Sequence, residues 1–281
     1  MTYKGFINSY EDLKGKLIIV TGGTSGIGYQ LVRHLLNKHA DVLLLSRNLE
    51  AANKVIEAFK KEFPNSHIEV VKYDQSSFAS IKEASDIIID KYNNFYALIA
   101  NAGVLVGPKG GRTSEGYPTT IGVNYIGMRY LIDYLSSKLD KPHKFVIQGS
   151  IVAAFKLKRN ANLKKQYNVF TQYNISKIYT ESYVYSLMNS DSIHEYILTE
   201  PGISNTRITR HFNGVIRVLG KYFLAIFFHS SKKASLTLLD GIRSNNGEYI
   251  VPRGLFTMSG LPKHKKFPYR RIRKEIINHS I

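Results

Sequence analysis

Leu17-Ile18-Ile19-Val20-Thr21-Gly22-Gly23-Thr24-Ser25-Gly26-Ile27-Gly28 is the stretch whose reading decides the fold. Four consecutive apolar residues read as a strand buried on both faces. The glycine-rich turn that follows leads into an apolar-periodic segment, Tyr29 to Lys38, with Leu31, Leu35 and Leu36 on one helical face. A buried strand that turns into a helix offers free backbone N–H groups and the positive end of a helix dipole, which together suit a phosphate. Gly22 lets the chain leave the strand sharply, Gly26 lets backbone approach a pyrophosphate, and Gly28 lets the helix lie close to the sheet. The spacing is GxxxGxG, neither GxGxxG nor the P-loop pattern, since no Gly-Lys-Ser/Thr follows. Spacing alone leaves two readings open, a cofactor loop and a plain tight strand-to-helix turn.

Working outward, Asp41–Ser46 reads as a second strand ending at Arg47, and Leu49–Phe63 as a helix stopped by Pro64. Ile68–Tyr73 is a third strand closed by Asp74, Phe78–Tyr92 a helix, and Phe95–Ala100 a fourth strand running into Asn101-Ala102-Gly103. Strands apolar throughout, alternating with helices, imply a parallel sheet covered on both faces. The second half continues with a helix from about Ser114 to Ser137 that contains Asn124 and a strand Lys144–Gln148 ending in Gly149-Ser150. A helix from near Phe170 to Met188 then carries Tyr173 and Lys177, and a strand Glu195–Thr199 runs into Glu200-Pro201-Gly202. A helix Ser231–Arg243 and a short strand Gly247–Val251 close the pattern. The expectation is one α/β domain over residues 1–281: a doubly wound parallel sheet of about seven strands with helices on both faces. Ligands of such sheets bind at the carboxyl ends of the strands.

Composition narrows the chemistry. With 43% hydrophobic and 21% charged residues the 281-residue chain is an ordinary globular one, and the absence of cysteine excludes disulfides, thiolate metal sites and cysteine nucleophiles. No metal site is expected. Residues 1–16 contain no apolar run of signal-peptide length, and the longest purely apolar run, Tyr222–Phe228, is far short of the ~20 residues a spanning helix needs. A soluble, cytoplasmic protein is expected. The net charge of +18 is densest over Lys156–Lys165 and in the basic tail, residues 263–281. Without a nucleic-acid-binding motif, these stretches read as solvated surface or as contact with an anionic membrane; no nucleic acid is expected.

Tyr173 and Lys177 stand four apart on a helix, so their side chains share a face. A phenol titrates near pH 10, and a neighbouring ammonium stabilises its phenolate, making it a usable acid–base group near neutrality. Ser150 lies at a strand end on the ligand-binding rim, where it either acts on a ligand or caps the next turn. Asn124 in mid-helix is by itself a packing residue as readily as a functional one.

In this order and on this scaffold, Thr21-Gly22-x-x-x-Gly26-x-Gly28, Asp74, Asn101-Ala102-Gly103, Asn124, Ser150, Tyr173-x-x-x-Lys177 and Pro201-Gly202 followed by Thr206 resemble the short-chain dehydrogenase/reductase family, whose sheet is of the Rossmann type. The resemblance covers about Leu17 to Gly260. It implies that Tyr173 gives a proton to a substrate carbonyl oxygen or takes it from an alcohol, and that Ser150 hydrogen-bonds that oxygen. Lys177 would bind the nicotinamide ribose and lower the tyrosine pKa, and Asn124 would hold a relay water. Asp74 with Gln75 would meet the adenine, and Asn101, Ala102 and Gly103 the adenosine side. Thr24, Ser25 and Ile27 complete the phosphate loop, and Pro201, Gly202, Ile203 and Thr206 would lie along the nicotinamide. An acidic residue at the end of the second strand would repel a 2′-phosphate; here Ser46, Arg47 and Asn48 stand there, so NADP(H) is favoured over NAD(H), unless Arg47 is only a solvated loop residue.

The interval from Ser150 to Tyr173 is long, as in the retinol dehydrogenase-like branch, and its extra residues include Lys156, Lys158, Arg159, Lys164 and Lys165. Residues 206–230 fall where the family carries a substrate lid. Val215, Val218, Leu219, Tyr222 and Ile226 recur there at helical spacing, which suits an apolar substrate, a lipid interface or ordinary packing. The expected function is interconversion of a carbonyl and an alcohol on a small apolar substrate, in a homodimer or homotetramer. The alternative is an NADP(H)-binding protein without turnover, with a basic membrane-facing surface.

Overall fold

The computed structural model describes residues 2–106, 110–155, 161–202, 230–254 and 259–267. The substrate-lid segment, Ile203, Thr206, Lys156, Lys158, Arg159 and the tail beyond residue 267 lie outside the described residues.

Strands β1 (Leu17–Thr21), β2 (Asp41–Ser46), β3 (Ile68–Lys72), β4 (Ala97–Ala100), β5 (Lys144–Gln148), β6 (Glu195–Thr199), β7 (Tyr249–Pro252) and β8 (Pro262–Lys265) form one sheet in the order β3-β2-β1-β4-β5-β6-β7-β8. The first seven run parallel. The eighth, unforeseen in the sequence, pairs antiparallel with β7 and begins the stretch read there as a basic tail. Strand order reverses between β1 and β4, so the loops leaving their carboxyl ends part on opposite sides and open a crevice.

Alternate residues of the central strands feed two cores. Ile19, Leu43, Leu98 and Phe145 pack beneath α4 (Phe78–Lys91), α6 (Met128–Ser136) and α7 (Val169–Ser190). Ile18, Val20, Leu44, Ile99 and Val146 pack beneath α1 (Tyr3–Asn8), α2 (Gly26–Asn37), α3 (Leu49–Glu62) and α8 (Ser231–Arg243). One strand departs from the uniform apolarity read in the sequence: β3 is a sheet edge, and its Glu69 and Lys72 are exposed.

The long helix expected from Ser114 to Ser137 is shorter and interrupted. It starts with α5 (Thr119–Ile121), widens into a π-helical turn over Gly122–Gly127, and resumes as α6. The turn goes with a long-range contact: a Cβ on Gly127 would run into the Gln75 carbonyl, so the turn carrying Asn124 lies directly on the chain that follows β3. π turns of this kind interrupt an α-helix where a site needs a different spacing of side chains.

Candidate active site

The glycine loop is built by hydrogen bonds from its neighbour. Thr21 ends β1 with its hydroxyl buried; it donates to the Ile99 carbonyl (3.3 Å) and accepts from the Asn101 and Ala102 amides (3.0 and 2.9 Å). The Asn101 side-chain amide donates to the Thr21 and Gly22 carbonyls at 2.9 and 3.1 Å. The ends of β1 and β4 are thereby stitched together. Gly22 turns with φ of 69°, and a Cβ on Gly28 would collide with the Gly22 carbonyl. Helix α2 starts at Gly26, three residues before the sequence suggested, so the last glycines form its first turn. Asn48, Ser77, Asn168 and Ser230 cap α3, α4, α7 and α8 with side-chain oxygens, whereas Ser25 makes no such bond to α2. The first-turn amides of α2 are left for a ligand.

A cavity of about 460 Å³ opens over this loop. Residues 22 and 24–28, 45–48, 73–75 and 101–106 line it, with Thr119, Val123 and Gln148. It therefore gathers the sequence-predicted set Gly22, Thr24 to Gly28, Ser46 to Asn48, Asp74, Gln75 and Asn101 to Gly103. Thr21, Pro201 and Gly202 do not line it, nor do Asn124, Ser150, Tyr173 and Lys177. The wall formed by Val104, Leu105 and Val106 escaped the sequence reading; its signal was its place directly after Asn101-Ala102-Gly103. Uncapped helix amides, a backbone free of side chains and the Arg47 cation at one rim are the donor set an adenine dinucleotide requires, and the volume suits one.

Several polar residues that the sequence marks as site residues also hold the chain. Asp74 Oδ1 accepts from the Ser76 amide (2.9 Å) and hydroxyl (2.6 Å). Gln75 Nε2 donates to the Val123 carbonyl inside the π turn (2.6 Å), while its Oε1 accepts from the buried Tyr73 hydroxyl (3.0 Å). Asn124 clamps Val104, accepting from its amide at 2.7 Å and donating to its carbonyl at 2.8 Å; its Nδ2 also lies 3.4 Å from Ser176 Oγ on α7.

The other end of the cleft is formed by β5, α7 and the end of β6. Ser150 follows β5 and caps the short 3-10 turn Ile151–Ala154 through the Val152 amide (3.3 Å), and its hydroxyl lies near enough to the Tyr173 phenol to lower the phenol's pKa. Asn174, unmarked in the sequence, ties α7 to this turn by donating to the Val152 and Phe155 carbonyls at 2.6 and 2.7 Å. Lys177 is buried one turn below Tyr173, its Nζ 5.9 Å from the phenol ring centre and donating to the Gln148 carbonyl at 2.7 Å. Gln148 lines the cavity, so the lysine abuts its wall.

Electrostatics here differ from the sequence expectation. Burial pushes the Tyr173 phenol above its ordinary value; the Ser150 hydroxyl pulls it back, and the Glu200 carboxylate adds to the rise. Lys177 is not among the causes that move Tyr173. Burial lowers the Lys177 ammonium to about 8, opposed by the carboxylates of Glu181 and Glu200, both fully buried. Without a ligand, then, Tyr173 is a neutral acid and Lys177 titrates close to neutrality.

A family model described as short chain dehydrogenase matches residues 16–214. The short-chain dehydrogenase/reductase pkfC of Emericella nidulans is 35% identical over 118 residues, 41% of this chain and 38% of that protein. Retinol dehydrogenase 11 of Homo sapiens is 32% identical over 139 residues, 50% of this chain and 43% of that protein. The chain thus spans about two fifths of the length of these curated relatives. A solved structure from Mycobacterium paratuberculosis superposes with a TM-score of 0.71 at 18% identity, covering 92% of this chain and 88% of that one. Among the described residues no helix is long and apolar enough to cross a membrane, and no three metal-ligating side chains converge.

Proposed function

The chain belongs to the short-chain dehydrogenase family, and from that membership we propose that it is an NADP(H)-dependent oxidoreductase interconverting a carbonyl and an alcohol on a small apolar substrate. The observation that carries the reading is Tyr173 beside Ser150, its ring centre 5.9 Å from a lysine ammonium anchored on the cavity wall through Gln148. A protein that only bound the dinucleotide would have no use for this set.

The bound nicotinamide supplies the hydride or takes it up. The protein's part is to bind, to orient and to move one proton. Tyr173, held neutral, donates its phenolic proton to the carbonyl oxygen in reduction and recovers it from the alcohol in oxidation. The Ser150 hydroxyl donates to the same oxygen and keeps it on the phenol. Lys177 Nζ uses one of its three N–H groups on Gln148, and the others would be available to hold the nicotinamide ribose. Asn124 acts by position: it holds the Val104 wall and meets Ser176, the residue before Lys177. Arg47 at the end of β2, where an acid would exclude a 2′-phosphate, supports NADP(H). An apolar substrate is supported by Phe155, at the end of the 3-10 turn, and Phe170, in the first turn of α7, 60% and 61% exposed, and by a relative named for retinol.

The test is NADPH oxidation across aliphatic, aromatic, steroid and retinoid carbonyls, with Tyr173→Phe run in parallel. Turnover is expected to fall by roughly 10²–10⁴-fold in the variant, with NADPH affinity changed less than about threefold. Undiminished turnover by Tyr173→Phe overturns the assignment.

A further inference from the structure

At the rim of the cavity beside Arg47, the register of the edge strand sets a second cation. Ser46 of β2 pairs with Lys72 of β3, and Lys72 Nζ donates to the Arg47 carbonyl at 2.6 Å. The two basic residues are therefore neighbours across the strand ends, both exposed. Among the described residues neither has a carboxylate partner; the Arg47 carbonyl takes one of three ammonium donors, leaving two for another acceptor.

The surrounding polar groups are already satisfied by the chain. Ser46 Oγ donates to the Asn48 carbonyl (3.1 Å), the Tyr73 amide donates to the Ser46 carbonyl (3.0 Å), and Asn48 Oδ1 caps α3 through the Ala51 amide (2.9 Å). The nearest acids in sequence are engaged elsewhere: Asp74, two residues after Lys72, accepts from the Ser76 amide and hydroxyl, and Glu50 in the first turn of α3 carries Lys54 at 2.6 Å. What remains is Arg47 on the cavity lining, Lys72 bonded to its carbonyl just behind it, neither with a carboxylate partner among the described residues, and the N-terminal end of a 14-residue helix. Like charges held side by side repel each other, and the arrangement gains most when a doubly charged anion sits between them.

We propose that Lys72 and Arg47 form a two-cation clamp for a phosphate monoester on the adenosine ribose of the dinucleotide. Lys72 acts in two ways: its hydrogen bond to the Arg47 carbonyl fixes the turn that presents the guanidinium, and its remaining donors add a second positive charge to the site. The proposal rests on the NADP(H) reading and assigns part of that preference to a residue on a different strand from Arg47.

The experiment is fluorescence and calorimetric titration of the full chain with NADPH, NADH, adenosine 2′,5′-bisphosphate and AMP, for wild type, Lys72→Gln, Lys72→Thr and Lys72→Arg. Lys72→Gln is expected to weaken NADPH and the bisphosphate about five- to tenfold and to leave NADH and AMP within about twofold. Lys72→Arg should keep most of the affinity, and the salt dependence of NADPH binding should flatten in the neutral variants. Lys72→Thr, a strand-forming replacement at an exposed edge, repeats the test should Lys72→Gln fold poorly. Equal weakening of NADPH and NADH would reduce Lys72 to a prop for the turn and overturn the clamp, as would NADPH affinity unchanged in a wild type that prefers NADPH. A wild type that binds NADH as tightly as NADPH, whatever Lys72→Gln does, instead overturns the NADP(H) reading.

Discussion

At both ends of the cleft polar side chains brace the protein's own backbone, but only the β5–α7 end adds groups whose titration burial has shifted, Tyr173 and Lys177. Thr21, Asn101, Gln75 and Asn124 each bond a main-chain group of another segment, so what the first region presents to a ligand is rigid backbone: glycine-loop amides and the uncapped first turn of α2. The second region presents titratable groups, a phenol that burial keeps protonated and an ammonium lowered to about 8. Binding a dinucleotide asks for fixed partial charges that need no reorganisation. Moving a proton asks for a group that holds it and a neighbour whose charge state is close to changing: burial keeps Tyr173 protonated and brings Lys177 to about 8.

If this division holds, damage to the first region should remove binding and spare the chemistry of the second. The largest effect expected is for Gly28→Ala, because the new methyl meets the Gly22 carbonyl, a main-chain atom that cannot turn aside. The loop must open, and NADPH affinity measured by fluorescence should fall about a hundredfold, near 3 kcal/mol. Retention of wild-type affinity would mean that the glycine loop does not hold the pyrophosphate.

A smaller effect sharpens the other half. As pH rises through about 8, Lys177 loses its proton, so kcat/KM for carbonyl reduction should be level below that value and decline above it, approaching about tenfold per pH unit. Tyr173 stays protonated throughout, because its pKa is raised. In Lys177→Arg the guanidinium remains charged and the alkaline decline should disappear, whatever the variant's absolute rate. A profile with the same decline in Lys177→Arg assigns it to another group.

The same division explains what the sequence made legible. The strands Asp41–Ser46, Lys144–Gln148 and Glu195–Thr199 and the helix Ser231–Arg243 lie where the apolar pattern put them, since burial on both faces leaves a period that a single sequence displays. The glycine motif and the Tyr173–Lys177 spacing were legible because each depends on local geometry. Three features depend on long-range contact and left no periodic trace. The π turn goes with the contact of Gly127 on Gln75, some fifty residues earlier. The antiparallel β8 pairs a charged segment, Pro-Lys-His-Lys, with β7. The burial of Lys177 beside Glu181 and Glu200 comes from two strand ends and a helix converging, and it lowers the lysine's titration to about 8, which the four-residue spacing alone does not display.

The link between the two regions is Gln75, and it allows the smallest but most discriminating test. Its amide supplies a hydrogen bond to the Val123 carbonyl in the π turn, and its oxygen receives the buried Tyr73 hydroxyl. Gln75→Leu fits a similar shape and strands both partners, a loss of about 1–3 kcal/mol that chemical denaturation would register. Gln75→Leu with Tyr73→Phe removes one stranded group and should regain part of that loss, a coupling of about 0.5–1 kcal/mol in the double-mutant cycle. Because the π turn carries Asn124, and Asn124 holds Val104 and meets Ser176 next to Lys177, the single variant should also speed amide exchange at residues 102–106 and 122–127 while β1 and β2 stay protected. Strictly additive substitutions with exchange unchanged in those segments would show that the cofactor wall and the catalytic helix are set independently, and that the two regions share a cleft without sharing a support.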